Sequence, residues 1–218
     1  MSATTGGETP SWEEALEAMQ SCTACGLSRR RKNVVIYRGA RRPRLLFLGE
    51  APGAQEDESG LPFVGKAGHL LDRAIAELGL PADGYGITNV VMCHPPGNVF
   101  DPKAAVACRP WLELKLALLA PEVIVTLGGR ALRALEPTSG RPLAEAGRPR
   151  SWRGRPLYPM LHPAATFRRR AFRDQWDRDL ERLHSMVNQW MPGFLSSSPF
   201  PPRGPAPLGS PSSKVAFK

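Results

Sequence analysis

The chain has 218 residues, a length that suits one globular domain with flanking tails. Lys and Arg outnumber Asp and Glu by 29 to 20, and the formal charge of +9 favours a polyanionic partner such as nucleic acid. No apolar run approaches the roughly 18 residues of a membrane-spanning helix, and the polar N-terminus lacks a signal segment. We therefore expect neither membrane insertion nor export, but a cytoplasmic, nucleoid-associated monomer.

The first predicted elements follow a polar N-terminus, residues 1–10, which is expected to be disordered. Ser11 and a glutamate three residues later form a capping-box pattern, which predicts a short helix over Trp12–Gln20. The apolar run Leu45–Leu48, stopped by glycine, is typical of a strand buried on both faces. Apolar residues at helical spacing over Ala67–Leu78 predict the next helix.

The alternation of strand and helix continues along the chain. Strands are predicted at Ile87–Val91, Val123–Leu127 and Leu157–Met160, and helices over Lys103–Leu119 with a break at Pro110, from about Ala131, and over Phe172–Trp190. Such alternation implies a parallel sheet, so we expect a three-layer α/β/α sandwich with a central, mostly parallel sheet over residues 11–191. Residues 192–218 are rich in Pro, Ser and Gly, which predicts a disordered tail.

Three loops follow the predicted strands, over Gly49–Gly68, Asn89–Asn98 and His162–Arg170. In open parallel sheets, ligands bind beyond the carboxyl ends of the strands, so these loops are the candidate site. The first loop has neither the Gly-x-Gly-x-x-Gly spacing of a dinucleotide site nor the Gly-Lys-Ser/Thr of a Walker loop. Its glycines and carboxylates alone would favour a flexible acidic surface loop, because both are ordinary loop residues.

Four cysteines are the candidate metal ligands. Cys22 and Cys25 form a C-x-x-C pair, and Cys93 and Cys108 lie far downstream. In a reducing cytosol such cysteines are metal ligands, buried thiols or redox groups more often than disulfides. Four thiolates can close either a [4Fe–4S] cluster or a tetrahedral zinc site, and their spacing leaves both open.

Three ordered motifs resemble the family 4 uracil-DNA glycosylases of the uracil-DNA glycosylase superfamily. The first reads GEAPG at Gly49–Gly53 and PFVGKAG at Pro62–Gly68, the second reads TNVV at Thr88–Val91 and CHPPGN at Cys93–Asn98, and the third reads HPA at His162–Ala164. The resemblance extends from about residue 22 to residue 190. It implies an enzyme that hydrolyses the glycosidic bond of uracil in DNA and leaves an abasic site.

The family's base-flipping chemistry implies roles for the loop residues. Phe63 would stack on uracil, and the amide of Asn89 would read its O4 and N3–H. Ala51, Gly53 and Glu56 would complete the substrate pocket. Because Gly53 has no side chain, we expect Glu56 to exclude the C5 methyl group of thymine.

The resemblance also implies the catalytic groups and the cofactor. His162 would donate to uracil O2, and Glu50 would stabilise the cationic sugar or orient the water, with Glu56 and Asp57 as rivals. The cofactor would be a structural [4Fe–4S] cluster held by all four cysteines.

Two arginine clusters are the predicted DNA contacts. The first is Arg168, Arg169 and Arg170 with Arg173, and the second is Arg148, Arg150, Arg153 and Arg155. Near the second motif, Met92, His94 and Val99 stand where basic residues are frequent in the family, which weakens the expectation of phosphate contacts there. The alternative function is a noncatalytic nucleic-acid-binding module with a metal as folding staple.

Overall fold

The structure of the chain, a computed structural model, describes residues 9–140 and 142–196. Its strands are β1 (Tyr37–Gly39), β2 (Leu45–Gly49), β3 (Tyr85–Asn89), β4 (Val123–Leu127), β5 (Arg150–Trp152) and β6 (Arg155–Met160). They form one six-stranded sheet in the order β1-β3-β2-β4-β6-β5. The four central strands are parallel and the two edge strands are antiparallel, which confirms the mostly parallel sheet.

Helices cover both faces of this sheet. They are α1 (Trp12–Gln20), α2 (Ala54–Ser59), α3 (Lys66–Glu77), α4 (Pro102–Leu119), α5 (Gly129–Leu135), α6 (Pro142–Glu145) and α7 (Arg170–Trp190). Phe47 of β2 belongs to the apolar core under α3 and α7, whereas its neighbours Leu46 and Leu48 belong to the core under α4 and α5. Alternate side chains of a buried strand thus fill two cores, and the α/β/α sandwich is confirmed.

The predicted element boundaries hold in some places and fail in others. The capping box of α1 is present, because the Ser11 hydroxyl accepts from the Glu14 N–H and the Ser11 N–H donates to the Glu14 carboxylate. The strand predicted at Ile87–Val91 instead ends at Asn89. The two valines that follow donate their N–H groups to the carbonyls of Gly49 and Glu50, both at 3.0 Å.

Helix α4 continues through Pro110, so the predicted break there is wrong. A proline removes the hydrogen bond to the carbonyl four residues earlier, which belongs to Val106. Both residues are exposed, and water can satisfy that carbonyl.

The C-terminal end of the fold differs from the predicted tail where it is described. Phe194 and Leu195 are buried against the apolar core, and the N–H of Ser196 donates to the carbonyl of Gly79 at 3.0 Å. The ordered fold therefore extends a few residues past the predicted boundary at Pro192. Residues 1–8 and 197–218 of the predicted tails lie outside the described residues. Within the described ranges, no helix has the length and hydropathy needed to cross a membrane.

Candidate active site

A cavity of about 480 Å³ opens at the carboxyl ends of the parallel strands. Its walls include every predicted catalytic and substrate-binding residue, namely Glu50, Ala51, Gly53, Glu56, Phe63, Asn89 and His162. Asn89 ends β3, and Gly49 ends the neighbouring β2. His162 follows β6, which lies two strands from β2 in the sheet. Sheet topology thus brings together residues that are more than 100 positions apart in the chain.

Asn89 places a polar atom without a partner at the base of this cavity. The residue is 1% exposed, and its Oδ1 is buried without a hydrogen-bond partner in the described part of the chain. A buried polar oxygen left unpaired costs about 1 to 3 kcal/mol, so its place on a cavity wall points to a ligand donor.

Gly49 pairs in register with Asn89 and lies beside the ring of Phe63. A Cβ at position 49 would come within 2.3 Å of the Asn89 Oδ1 and 2.6 Å of the Phe63 ring. Both contacts are far inside van der Waals distance. The glycine therefore allows the amide and the ring to meet at one point.

The backbone of Phe63 adopts a left-handed conformation, with a φ of 58°. This conformation costs a bulky residue of order 1 to 3 kcal/mol and is found where the surroundings impose it. Gly68 is part of those surroundings, since a Cβ there would lie 1.8 Å from the Phe63 carbonyl oxygen. Phe63 is 5% exposed, and the centroid of its ring is 5.7 Å from that of His162.

Glu56 binds the loop that carries Phe63. Its Oε1 accepts from the N–H groups of Val64 and Gly65 at 2.9 and 2.8 Å, and its Oε2 accepts from Gly53 at 3.0 Å. The carboxylate therefore organises two segments of the cavity wall, a role that the sequence did not indicate. Its place beside Gly53 keeps it a candidate for excluding a methyl group.

Asp57 points away from the cavity. It is 6% exposed and accepts from the backbone N–H groups of Lys32 and Asn33, with distances of 3.0 to 3.3 Å. Asp57 is not among the cavity-lining residues, so the structure does not bring this rival water-activating group to the site.

His162 is held in one tautomer by its own loop. Its Nδ1 accepts from the N–H of Ala164 at 3.2 Å, so a neutral ring carries its proton on Nε2. Burial lowers the pKa of His162 to about 4, with Glu56 opposing and Arg168 adding to the effect. Near neutral pH the site thus contains an uncharged imidazole with one donor N–H.

Glu50 is a half-buried carboxylate opposite Arg130, the second residue of α5. Burial raises the pKa of Glu50, and Arg130, whose Nε lies 3.6 Å from Oε2, partly reverses that rise. The guanidinium also lies 4.2 Å above the ring of Phe100. Arg130 was not predicted, because nothing in its local sequence marks it as a partner of Glu50.

A buried lysine donates hydrogen bonds to the end of β3, at Thr88 and the Asn89 backbone. Lys115 of α4 is 0% exposed, and its Nζ donates to the Thr88 hydroxyl at 2.7 Å and to the Asn89 carbonyl at 2.9 Å. Burial lowers the pKa of Lys115 to about 8. The sequence analysis missed this residue, because lysines are seldom fully buried.

Comparison with known proteins agrees with this arrangement. A model of the uracil DNA glycosylase superfamily matches residues 36–183, which include every residue predicted to act on the base. The chain belongs to the uracil DNA glycosylase superfamily. Its resemblance to that superfamily, expected from the motifs, is confirmed.

Individual relatives within the uracil DNA glycosylase superfamily cover most of the chain. A type-4 uracil-DNA glycosylase of Pyrobaculum aerophilum is 38% identical over 75% of this chain and 88% of its own length. One from Thermotoga maritima is 35% identical over 79% of this chain and 93% of its own length. A type-5 uracil-DNA glycosylase of Mycobacterium tuberculosis is 36% identical over 50% of this chain and 48% of its own length.

The four cysteines of this superfamily member are all free thiols, of which Cys93 and Cys108 are buried. Burial raises the pKa of the Cys93 and Cys108 thiols, and for each the charge of Cys25 adds to the effect. Arg31 donates to the Cys93 sulfur at 3.3 Å, and Trp111 donates to the Cys22 sulfur at 3.2 Å. Within the described residues, however, no three His, Cys, Asp or Glu side chains are grouped closely enough to hold a metal ion.

The two predicted arginine clusters have different surroundings. Arg168 lines the cavity, and the adjacent Arg169 and Arg170 are exposed. By contrast, Arg150 forms ion pairs with Glu136 and Glu145, and Arg153 forms one with Glu113. No member of the second cluster lines the cavity. The expectation that both clusters flank the cavity is therefore wrong for the second cluster.

The cavity has further walls that the sequence analysis did not single out. Pro95, Asn98 and Ala165 also line it. Asn98 has a φ of 56°, and its Oδ1 lies 3.2 Å from Nε2 of His94. A Pro-Pro-Gly-Asn run is a turn signal that could have indicated an irregular wall here.

Proposed function

We propose that this chain is a uracil-DNA glycosylase of base-excision repair, which hydrolyses the N-glycosidic bond of uracil in DNA and leaves an abasic site. The observation that carries the proposal is the unpaired Oδ1 of Asn89 in a cavity walled by Phe63 and His162. Membership of the superfamily and the names of the relatives support the same activity.

The amide of Asn89 would read the flipped base. Uracil offers a donor at N3 and an acceptor at O4, which match the Oδ1 and Nδ2 of an asparagine. Cytosine presents an acceptor and a donor at those positions, so both contacts would become repulsive. Discrimination based on unpaired buried polar groups reaches about 10⁴-fold, which suits an enzyme that must spare cytosine.

His162 would stabilise the departing uracil. As the glycosidic bond breaks, the base becomes an anion with charge on O2, and the Nε2–H of a neutral imidazole can donate to it. A neutral donor lets the departing base leave as an anion without a full proton transfer. The contact of His162 with Ala164 fixes which nitrogen donates.

Glu50 would act on the sugar side of the bond. Loss of the base makes the deoxyribose cationic, and a nearby carboxylate stabilises that charge and can orient the attacking water. Arg130 opposes the effect of burial and so favours the ionised form of Glu50 that this role requires.

DNA would approach over the cavity mouth. Arg168 lines the cavity, and it and its exposed neighbours Arg169 and Arg170 would contact the phosphates around an extruded nucleotide. Phe167 is 55% exposed beside them, although large apolar side chains are usually buried. Such a residue can pack against bases next to the extruded one.

The four cysteines would hold a [4Fe–4S] cluster. Their number and the N–H donors at two of the sulfurs suit a thiolate-ligated cluster. The cluster would brace α4 and the segment after β3. Zinc is the competing occupant of the same ligands.

The decisive experiment measures base release from oligonucleotides that contain one uracil, thymine or cytosine, scored as alkali-labile abasic sites. Wild type should act on uracil, Asn89→Asp should lose preference for uracil over cytosine, and His162→Ala should lower turnover by about 10² to 10³. Arg44→Ala, which removes an ion pair with Glu122 at the opposite end of β2, is the matched control. DNA binding by wild type without base release would support the noncatalytic module instead.

A further inference from the structure

Arg38 of the edge strand β1 reaches the loop that carries Phe63. Its Nε donates to the Pro62 carbonyl at 2.8 Å, and its Nη2 donates to the Phe63 carbonyl at 3.1 Å. The same Nη2 lies 2.6 Å from the Asp72 carboxylate of α3. One guanidinium thus joins an edge strand, a helix and the strained turn between them.

The turn at residues 62–65, here called the Phe63 turn, is therefore held by opposite charges on its two sides. Arg38 binds the carbonyls of residues 62 and 63, whereas Glu56 binds the N–H groups of residues 64 and 65. Each contact involves a charged group, the stronger class of hydrogen bond in proteins. Between them lies Phe63, whose left-handed φ is unfavourable for a bulky side chain and therefore needs such support.

We propose that Arg38 is a positioning residue for base stacking, which keeps the Phe63 ring against the cavity by holding its backbone in the left-handed conformation. The inference rests on the proposed function, because it assigns a supporting group to the residue proposed to stack on uracil. Arg38 does not line the cavity, so it acts through Phe63 and not on the substrate.

Two simpler roles for Arg38 fit the contacts less well. A surface ion pair with Asp72 alone would contribute little, because the Asp72 side chain is 42% exposed. A phosphate contact would need an accessible guanidinium, yet the Arg38 side chain is only 24% exposed, and its Nε and Nη2 are already bonded to the protein.

The test combines hydrogen exchange with a double-mutant cycle. Amide exchange of Val64 and Gly65 is measured in wild type, Arg38→Ala, Arg38→Lys and the control Arg44→Ala. Arg38→Lys keeps a positive charge near Asp72 but loses the planar fork that bonds two carbonyls. Uracil release is then measured for Arg38→Ala and Arg38→Lys in the wild-type and Phe63→Leu backgrounds, with thermal unfolding midpoints recorded for each variant.

We expect about tenfold faster exchange of the two amides and about tenfold lower kcat/KM in both Arg38 variants, on the scale of a lost hydrogen bond to a charged group. In the Phe63→Leu background the same substitutions should cost less than about twofold, since coupled residues are not additive. Should Arg38→Ala fail to fold, Arg38→Lys carries the cycle.

Unchanged exchange in the Arg38 variants would overturn the inference, and so would an equal loss of activity in the two backgrounds. An inactive wild type would refute the proposed function, while the exchange measurement would still decide whether Arg38 holds the turn.

Discussion

The backbone N–H of Ala164 donates to Nδ1 of His162 over 3.2 Å. Protonation of the ring would place a second hydrogen in this contact, so it opposes the imidazolium form. Burial acts in the same direction and lowers the pKa of His162 to about 4. The two observations together define a histidine that stays neutral over the range in which histidines ordinarily titrate.

We therefore predict that His162 does not titrate between about pH 5.5 and 8. Its folded pKa lies below the usual value of 6.5, so its contribution to stability is complete above that value and falls as the pH is lowered from 6.5 towards 4. NMR of the histidine ring signals, assigned by their loss in His162→Gln, checks this. A His162 signal that titrates near pH 6.5 would contradict it.

Gly49→Ala should abolish most uracil release. The new methyl group would force the Asn89 amide and the Phe63 ring apart, and displacement of about 1 Å can cost on the order of 10²-fold in rate. Gly26→Ala is the control, because a Cβ there meets nothing within 4 Å. Single-turnover rates of both variants decide the matter, and a fully active Gly49→Ala enzyme would mean that the two side chains need not meet.

Arg130→Met should move the acid limb of the activity profile to higher pH. Burial already raises the pKa of Glu50, and removal of the guanidinium that opposes this effect raises it further. The carboxylate would then be lost at a higher pH as the solution is acidified. Profiles of kcat/KM against pH for this variant and for Arg133→Met, from the same helix, test the prediction. Coincident acid limbs in the two variants would mean that Arg130 does not influence the ionisation of Glu50.

Glu56→Ala should lower uracil release while raising the ratio of thymine to uracil release. The first effect follows because three backbone N–H groups lose their acceptor. The second follows if Glu56 excludes the thymine methyl, a difference of about 10- to 200-fold. Glu58→Ala, on the exposed side of the same helix, is the control. An unchanged ratio would remove Glu56 as the steric barrier.

Purified protein should be brown and contain about four irons per chain, as expected for a [4Fe–4S] cluster. Cys93→Ser should lose iron and unfold at a lower temperature, because the proposed ligand anchors the segment after Asn89. Met92→Leu, a conservative change at the adjacent buried position, should retain both properties. A colourless protein with zinc would refute the iron assignment.

The sequence by itself determined the central strands and most of the cavity wall. Runs such as Val123–Leu127 are apolar on both faces, and only a central strand between two helical layers buries both. Parallel sheets bind ligands beyond the carboxyl ends of their strands. This rule selected the loops that carry Glu50, Asn89 and His162. The cavity that these residues line bears out that rule.

Other features became visible only in the tertiary structure. The edge strands β1 and β5 have three residues each and no apolar run, and α2 has no apolar periodicity, so local patterns could not predict them. Arg38, Arg130 and Lys115 are ordinary surface residues by type, and their roles come from partners distant in the chain. Hydrophobic periodicity is a local property and can be seen in the sequence. The partner of a charged side chain depends on how the elements pack, so only the tertiary structure decided which residues support this site.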